Sequence, residues 1–437
     1  MQKYSFFLIL WRDLLIRGDR HALKMAWFRG LRVGSRFSLK SKMYALLAEL
    51  ELTRGDHEAL TKVANILLDG CDSPHGYYYL AQSQFLCGDY HACRQSLLFF
   101  LQRKPNHPDA VYLLVNAYEL LDKREAAWNS LEQLALVSRR LKTWLVMANL
   151  VRTAEDYDRL VENWRRAQKT GQAPLFHKDV NEYIANGALR SGNYEEARKI
   201  WRETLLSLAS AKDGFSKLKP AKVNYSTGRA EAALIALRRV LLDAGIQMFL
   251  VSGTLLGCVR EGRLLGHDKD IDVGIWEDVP QDLLLSSLRT SGLFYIQASR
   301  SPEIIRIKHV NGVAIDVFYH YREEGDCWHG GVKVRWHNKP FNLVKGVFLG
   351  QTYLIPEDYD TYLTENYGDW RTPQKDFDSA FDTPNAEILN TEELAIHAFR
   401  MLLSKLIKGN SVSVDFYLSC LQNLGEDNFV KKFKDLT

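Results

Sequence analysis

The sequence predicts a multidomain chain with two kinds of structure in series. Residues 1–210 read as an all-α helical repeat, residues 229–437 as an α/β (α+β) domain with a small mixed sheet, and residues 211–228 as the linker. Three observations carry this. Gly-Asp or Gly-Asn turns recur about every 34 residues through the first half, with few strand signals between them. After residue 245, short apolar runs alternate with amphipathic stretches, the order expected of helices laid on a sheet. Between the halves, Lys212 to Tyr225 holds Asp-Gly, Pro220 and several lysines without periodicity.

Composition bounds the answer. The 437 residues suffice for two or three cores, and 46% hydrophobic with 25% charged content is ordinary for a folded chain. The formal net charge of +4, from 57 basic and 53 acidic residues, argues against nucleic acid as a partner. Six scattered cysteines without a Cys-x-x-Cys pair suit a reducing compartment. Tyr4 to Trp11 is apolar, but Arg12 and Asp13 interrupt it and no small-residue cleavage site follows, so it is expected to be a first amphipathic helix. No other run is long and apolar enough to span a bilayer. The expectation is a cytoplasmic protein with at most peripheral membrane contact.

In the first half the turns fall at Arg17-Gly18-Asp19, Arg54-Gly55-Asp56, Cys87-Gly88-Asp89, Leu121-Asp122-Lys123, Glu155-Asp156-Tyr157 and Ser191-Gly192-Asn193. In the best pair, Tyr77 to Leu101 and Ala110 to Ala135, Ala92 maps onto Ala126, and Pro105 and Pro108 fall where a helix should stop. The unit resembles a tetratricopeptide repeat, a helix–turn–helix hairpin whose copies stack because none can bury its apolar face alone. That resemblance implies a concave surface for a protein partner or a substrate. The plainer alternative is a helical domain that braces the second half.

In the second half, Arg229 to Asp243 carries a helical apolar face and Gly245 ends it. A strand (Gln247 to Val251), a tight Ser252-Gly253 turn and a helix (Thr254 to Arg260) follow. Backbone N–H groups at such a turn suit a phosphate, which makes Gly253 and Thr254 binding candidates. Next come a strand (Ile271 to Trp276), a helix (Gln281 to Ser291), strands near 294–297, 304–309 and 313–319, and two closing helices near 392–406 and 412–424. Asp270 and Asp272 lie two apart and so share one face of their strand, while Ile271 and Val273 point to the other. Paired carboxylates repel unless a divalent cation lies between them. Asp316 is a lone acid inside the apolar Val-Ala-Ile-Asp-Val-Phe-Tyr strand, costly to bury without a partner or a metal.

Gly-Thr-Leu-Leu-Gly-Cys-Val-Arg (253–260), the Asp-x-Asp run ending in Asp270-Ile271-Asp272-Val273-Gly274, the later Asp316, and Tyr367-Gly368-Asp369-Trp370 together resemble the LicD and fukutin-related family. This family shares the nucleotidyltransferase fold of the DNA polymerase beta superfamily, and the resemblance runs from about Arg229 to Pro373. It implies transfer of a substituted phosphate (choline, ribitol or glycerol phosphate) from a CDP-linked donor to a hydroxyl of a cell-surface polysaccharide or lipopolysaccharide, with release of CMP. It implies Asp270, Asp272 and Asp316 as ligands of Mg2+ or Mn2+, and Asp316 as a candidate general base. Arg260 and Lys308 are expected to face donor phosphates, with Arg306 beside Lys308 on one strand. One departure is visible: many relatives have Trp-Asp-Asp-Asp where this chain has His267-Asp268-Lys269-Asp270.

His320, Cys327, His329 and His337 have no standard zinc spacing and read first as hairpin residues. Asp369 suits either substrate binding or turn capping. Two rival functions stay open from sequence: placement of a nucleoside monophosphate on a protein, sugar or RNA, and an adaptor whose repeats act while the second domain is inactive.

Overall fold

The computed structural model describes residues 39–174, 177–211, 214, 215, 218, 226–266, 270–374 and 376–437. The expected helix at 4–11, the first repeat turn at 17–19, most of the linker, and the segment 267–269 lie outside these residues.

The first half is a repeat-like array of helix hairpins: α1 (Leu39–Arg54), α2 (His57–Asp69), α3 (His75–Leu86), α4 (Tyr90–Arg103), α5 (Pro108–Leu120), α6 (Arg124–Ala135), α7 (Leu141–Leu150), α8 (Ala154–Lys169), α9 (His177–Arg190) and α10 (Tyr194–Ser210). The turns work as their residues dictate. Gly55, Gly88 and Gly192 take left-handed φ values, and the next residue caps the second helix of its hairpin. Asp56 accepts the Ala59 N–H, Asp89 that of Ala92 and Asn193 that of Glu196. One turn falls earlier than expected. Asp156 is inside α8 and not in a turn; it completes a capping box with Thr153. Leu60, Tyr79, Phe100, Trp128 and Trp144 fill a continuous core.

The second half opens with α11 (Thr227–Asp243) and continues through β1 (Phe249–Leu250), α12 (Ser252–Leu256) with a π-helical turn at Gly257–Glu261, and β2 (Asp270–Trp276). Then come α13 (Gln281–Thr290), β3 (Phe294–Ile296), β4 (Ile304–His309), β5 (Ala314–Glu323), β6 (Asp326–Gly330), β7 (Val334–Asn338), β8 (Leu343–Phe348), β9 (Gln351–Pro356), α14 (Tyr359–Tyr367) and β10 (Ala386–Ile388). The mixed sheet runs β10-β7-β6-β5-β2-β1-β9-β8, with the β3–β4 hairpin joined to β5. Its apolar face packs with α11 and α13 around Leu237, Ile271, Val273, Leu284, Ile315 and Val317, while Phe249, opposite Gly274, packs on the other face with Trp276 and His320.

The chain ends in α15 (Thr391–Lys408), α16 (Ser411–Asn423) and α17 (Asp427–Leu436). These helices share their core with the array: Phe399, Leu402, Tyr417, Phe429 and Phe433 belong to the same cluster as Trp201 and Leu205 of α10. None of the helices in the described residues is long and apolar enough to cross a membrane. All six cysteines are free thiols.

Candidate functional site

The site grows from strand alternation. β2 and β5 are parallel, and their register sets Asp272 beside Asp316 and Asp270 beside Ala314. Ile271, Val273, Ile315 and Val317 are fully buried on one face, so the alternation leaves all three acids, each half-buried, on the other. β4 runs antiparallel to β5 and pairs Arg306 with Asp316 and Lys308 with Ala314. One face therefore carries two cations on β4, Asp316 on β5, and Asp270 and Asp272 on β2.

Asp316 is strongly perturbed. Burial pushes its carboxyl up to about 6, Arg306 opposes the rise and Asp270 adds to it. Arg306 Nε lies 3.5 Å from Asp316 Oδ2, with Arg306 52% exposed and Asp316 18%. A half-buried acid poised near neutrality is suited to taking a proton.

The first turn of α12 holds β2 in place. Ser252 takes the left-handed conformation (φ 47°), and Thr254, 2% exposed, accepts the Asp272 N–H at 2.9 Å through Oγ1. Thr254 thus acts on the strand beneath the acids, a role that its place in the sequence does not announce. Gly257 is required by close approach: a Cβ there would lie 2.7 Å from the Arg263 carbonyl oxygen. Arg260, expected to face phosphates, donates from Nη1 to the Trp370 carbonyl (3.1 Å) and from Nη2 to Glu261 (3.2 Å). It ties the π-helical turn to the 367–370 loop. Trp370 is buried, and its Nε1 donates to Asp360 at 3.1 Å.

Residues 245–358 match the family model LicD/FKTN/FKRP, nucleotidyltransferase domain. The chain is also similar to the ribitol-5-phosphate transferase FKTN of Mus musculus, 29% identical over 171 residues, which cover 36% of this chain and 37% of that protein. The Homo sapiens protein of the same name is 28% identical over 170 residues, 36% of each chain, and that of Macaca fascicularis 27%. The chain thus spans little more than a third of the length of these relatives.

The LicD-type segment contains Gly253, Thr254, Arg260, Asp270, Asp272, Arg306, Lys308 and Asp316. It stops before Trp370, the partner of Arg260, and before Tyr362. Tyr362 is fully buried under the site: burial raises its hydroxyl well above the ordinary range, and Asp272 is among the acids that add to this. A tyrosine in the middle of an amphipathic helix gave no sequence signal for that placement.

Of the four hairpin residues, strand alternation separates only His337: Cys327, opposite Arg322, shares a face with His320 and His329. His320 and His329 are cross-strand partners, buried and stacked with ring centroids 4.3 Å apart, and burial lowers His320 to about 3. His337 pairs with Trp328, on the opposite face from His329, and its ring nitrogens meet Asp326 (2.7 Å) and Glu387 (3.0 Å). Among the described residues, no three His, Cys, Asp or Glu side chains, the three site acids included, stand together as a ready metal cage.

Proposed function

We propose that this chain transfers a substituted phosphate, ribitol 5-phosphate being the first candidate, from a CDP-linked donor to a hydroxyl of a glycan, releasing CMP. The observation that carries this reading is the in-register pair Asp272 and Asp316 on adjacent parallel strands, within a segment that matches the LicD/FKTN/FKRP model. The relatives' name, ribitol-5-phosphate transferase, supplies the substrate class.

The donor set suits a hard divalent cation, Mg2+ or Mn2+. It offers carboxylate oxygens only, on strands about 4.8 Å apart, one of them desolvated enough to sit near neutrality. Asp270, Asp272 and Asp316 would hold the ion, which when bound neutralises charge on the donor's phosphates. The chain's own residues do the rest. Thr254 fixes the Asp272 backbone and with it the direction of both β2 carboxylates. Lys308 and Arg306 line the same face and attract the anionic donor. Asp316 accepts the proton of the attacking hydroxyl as its oxygen forms the new bond to phosphorus, while the bond to the CMP oxygen breaks and CMP leaves with the electron pair. The array holds a partner or the acceptor.

A panel of CDP-alcohols, CDP-ribitol first, assayed for metal-dependent CMP release by wild type, Asp272→Asn and Asp316→Asn tests this. CMP release by wild type and its loss in both variants supports the reading. Wild-type turnover in either variant overturns it, and pyrophosphate release from a nucleoside triphosphate turns it into nucleotide transfer.

A further inference from the structure

Across the acid-bearing face of the sheet the charges run Arg306, Asp316, Asp272, one per strand and all in register. Asp316 therefore sits between a cation it already contacts and an acid that repels it. Its two neighbours differ in freedom. Asp272 is fixed through its backbone by Thr254, whereas Arg306 is half in solvent on a long stem, and its Nε meets Asp316 at 3.5 Å, a loose contact. A guanidinium keeps its charge at any working pH, so Arg306 carries a full positive charge on this face whether or not it contacts Asp316.

We propose that Arg306 is an exchangeable counter-ion. It neutralises Asp316 while the acids hold no cation, and it would pass to the phosphates of the donor when the acids hold a divalent cation. This rests on the proposed function above and adds to it a named residue that couples cation binding to donor binding. The coupling follows from charge. A divalent cation beside Asp316 both competes for its carboxylate and repels the guanidinium, and the nearest new anion is the diphosphate held on the same face. Lys308 is the neighbouring cation, one same-face step along β4, in register with Ala314 and not with Asp316. The cation-free protein thus keeps the acid pair from collapsing in repulsion, at the cost of weaker metal binding before the donor arrives.

The test is a pair of binding measurements on the full chain at low ionic strength. Mn2+ affinity is read from the free-ion paramagnetic resonance signal, and CDP affinity at saturating Mn2+ by calorimetry. Arg306→Gln should tighten Mn2+ binding about tenfold, because one positive charge beside a divalent ion is removed, and weaken CDP by a similar factor. Arg306→Lys should restore most of the CDP affinity. Arg239→Gln, an exposed site on α11 whose nearest acid is Asp243 at 3.9 Å, should move neither. A purely structural role for Arg306 predicts changes of one sign or none, since a damaged site loses both ligands together. Unchanged Mn2+ affinity in Arg306→Gln, with wild type binding Mn2+ and Asp316→Asn failing to, overturns the exchange and leaves the proposed function standing. Wild type that binds no Mn2+ overturns both.

Discussion

Asp316→Asn should stabilise the chain while removing its activity, and the two effects have the same cause. In the folded, metal-free protein Asp316 titrates at about 6, against an ordinary value near 3.8, because burial outweighs the help of Arg306. A rise of that size corresponds to about 3 kcal/mol at neutral pH, order of magnitude only. The sign is destabilising. Above pH 6 the folded chain carries an ionised carboxylate that the unfolded chain carries more cheaply in water, and below pH 4 both states are protonated and the penalty is gone. The amide of asparagine keeps the shape and avoids the charge. Allowing for its own desolvation and for the loss of Arg306's partner, a net gain of about 1–3 kcal/mol remains, or on the order of 5 °C in melting temperature for a domain of this size. The assay is thermal unfolding in EDTA between pH 4 and 8. The variant's advantage should be full at pH 7.5 and fade as pH falls through 6 toward 4. An advantage that persists at pH 4, or a variant less stable than wild type at pH 7.5, would refute the assignment of Asp316 as a buried acid held for chemistry.

Three further expectations follow from particular contacts. Thr254→Val deletes the acceptor of the Asp272 N–H; unfolding should show a cost of about 1–2 kcal/mol, and kcat should fall tenfold or more with KM little changed, whereas wild-type turnover would remove Thr254 from the positioning of β2. Burial pushes Asp378 up, but hydrogen bonds from His397, Tyr417 and the Ala380 N–H outweigh it and hold the carboxyl at about 2. Its stabilisation is present above pH 4 and lost as pH falls through 2. Asp378→Asn should therefore melt earlier at pH 7 and converge on wild type in acid; a gap independent of pH would show that the ionised carboxylate is not what matters. Gly257→Ala would drive a Cβ to 2.7 Å from the Arg263 carbonyl, and a loss of at least about 2 kcal/mol by denaturant titration is expected, with an unchanged midpoint counting against the close approach.

The parts of the fold that could be read in advance were those set by local periodicity. The Gly-Asp turns at 55, 88 and 192 declared themselves because a left-handed residue followed by a capping carboxylate or amide is both a sequence pattern and a physical requirement. The Glu155-Asp156 turn misled for the same reason: an acid in the first turn of a helix looks like an N-cap two residues away. Alternation placed Asp270 and Asp272 on one face, but neither spacing nor composition could set Asp272 beside Asp316, since parallel register depends on the path of the chain between the strands. The hydrogen bonds of Arg260 and Thr254 were equally out of reach. Both residues stand in the motif where a phosphate contact is the natural reading, and nothing in the sequence shows that each also bonds the protein's own backbone. Nor does a closing amphipathic helix state which core it will join. The three C-terminal helices follow the sheet in sequence and pack with the array.

That return of the chain makes the array part of the frame of the second half, and the junction can be tested. After α13, the Gly292 N–H donates to the Leu86 carbonyl at 3.0 Å and the Gly292 carbonyl meets His57 Nε2 at 2.5 Å, while the Tyr295 hydroxyl donates to Gln82 at 2.9 Å. Leu293 packs against both hydrophobic clusters, and on the far side Arg198 of α10 binds Glu426 (2.8 Å) and Glu392 (2.6 Å) ahead of the last helices. The sheet is thus held to the array both at the α13–β3 turn and through the helices that follow it. Gly292 has φ 76°, and an added Cβ would lie 2.5 Å from His57 Nε2, so alanine there is strained by its backbone and clashes with the bridge. Gly292→Ala should release the first attachment and spare the second. Amide exchange at residues 55–57 and 291–295 should rise together, while β2 and β5, central in the sheet, keep their protection. Exchange that rises in β2 and β5 instead would mean that the turn supports the site directly and that the array is more than a frame for it.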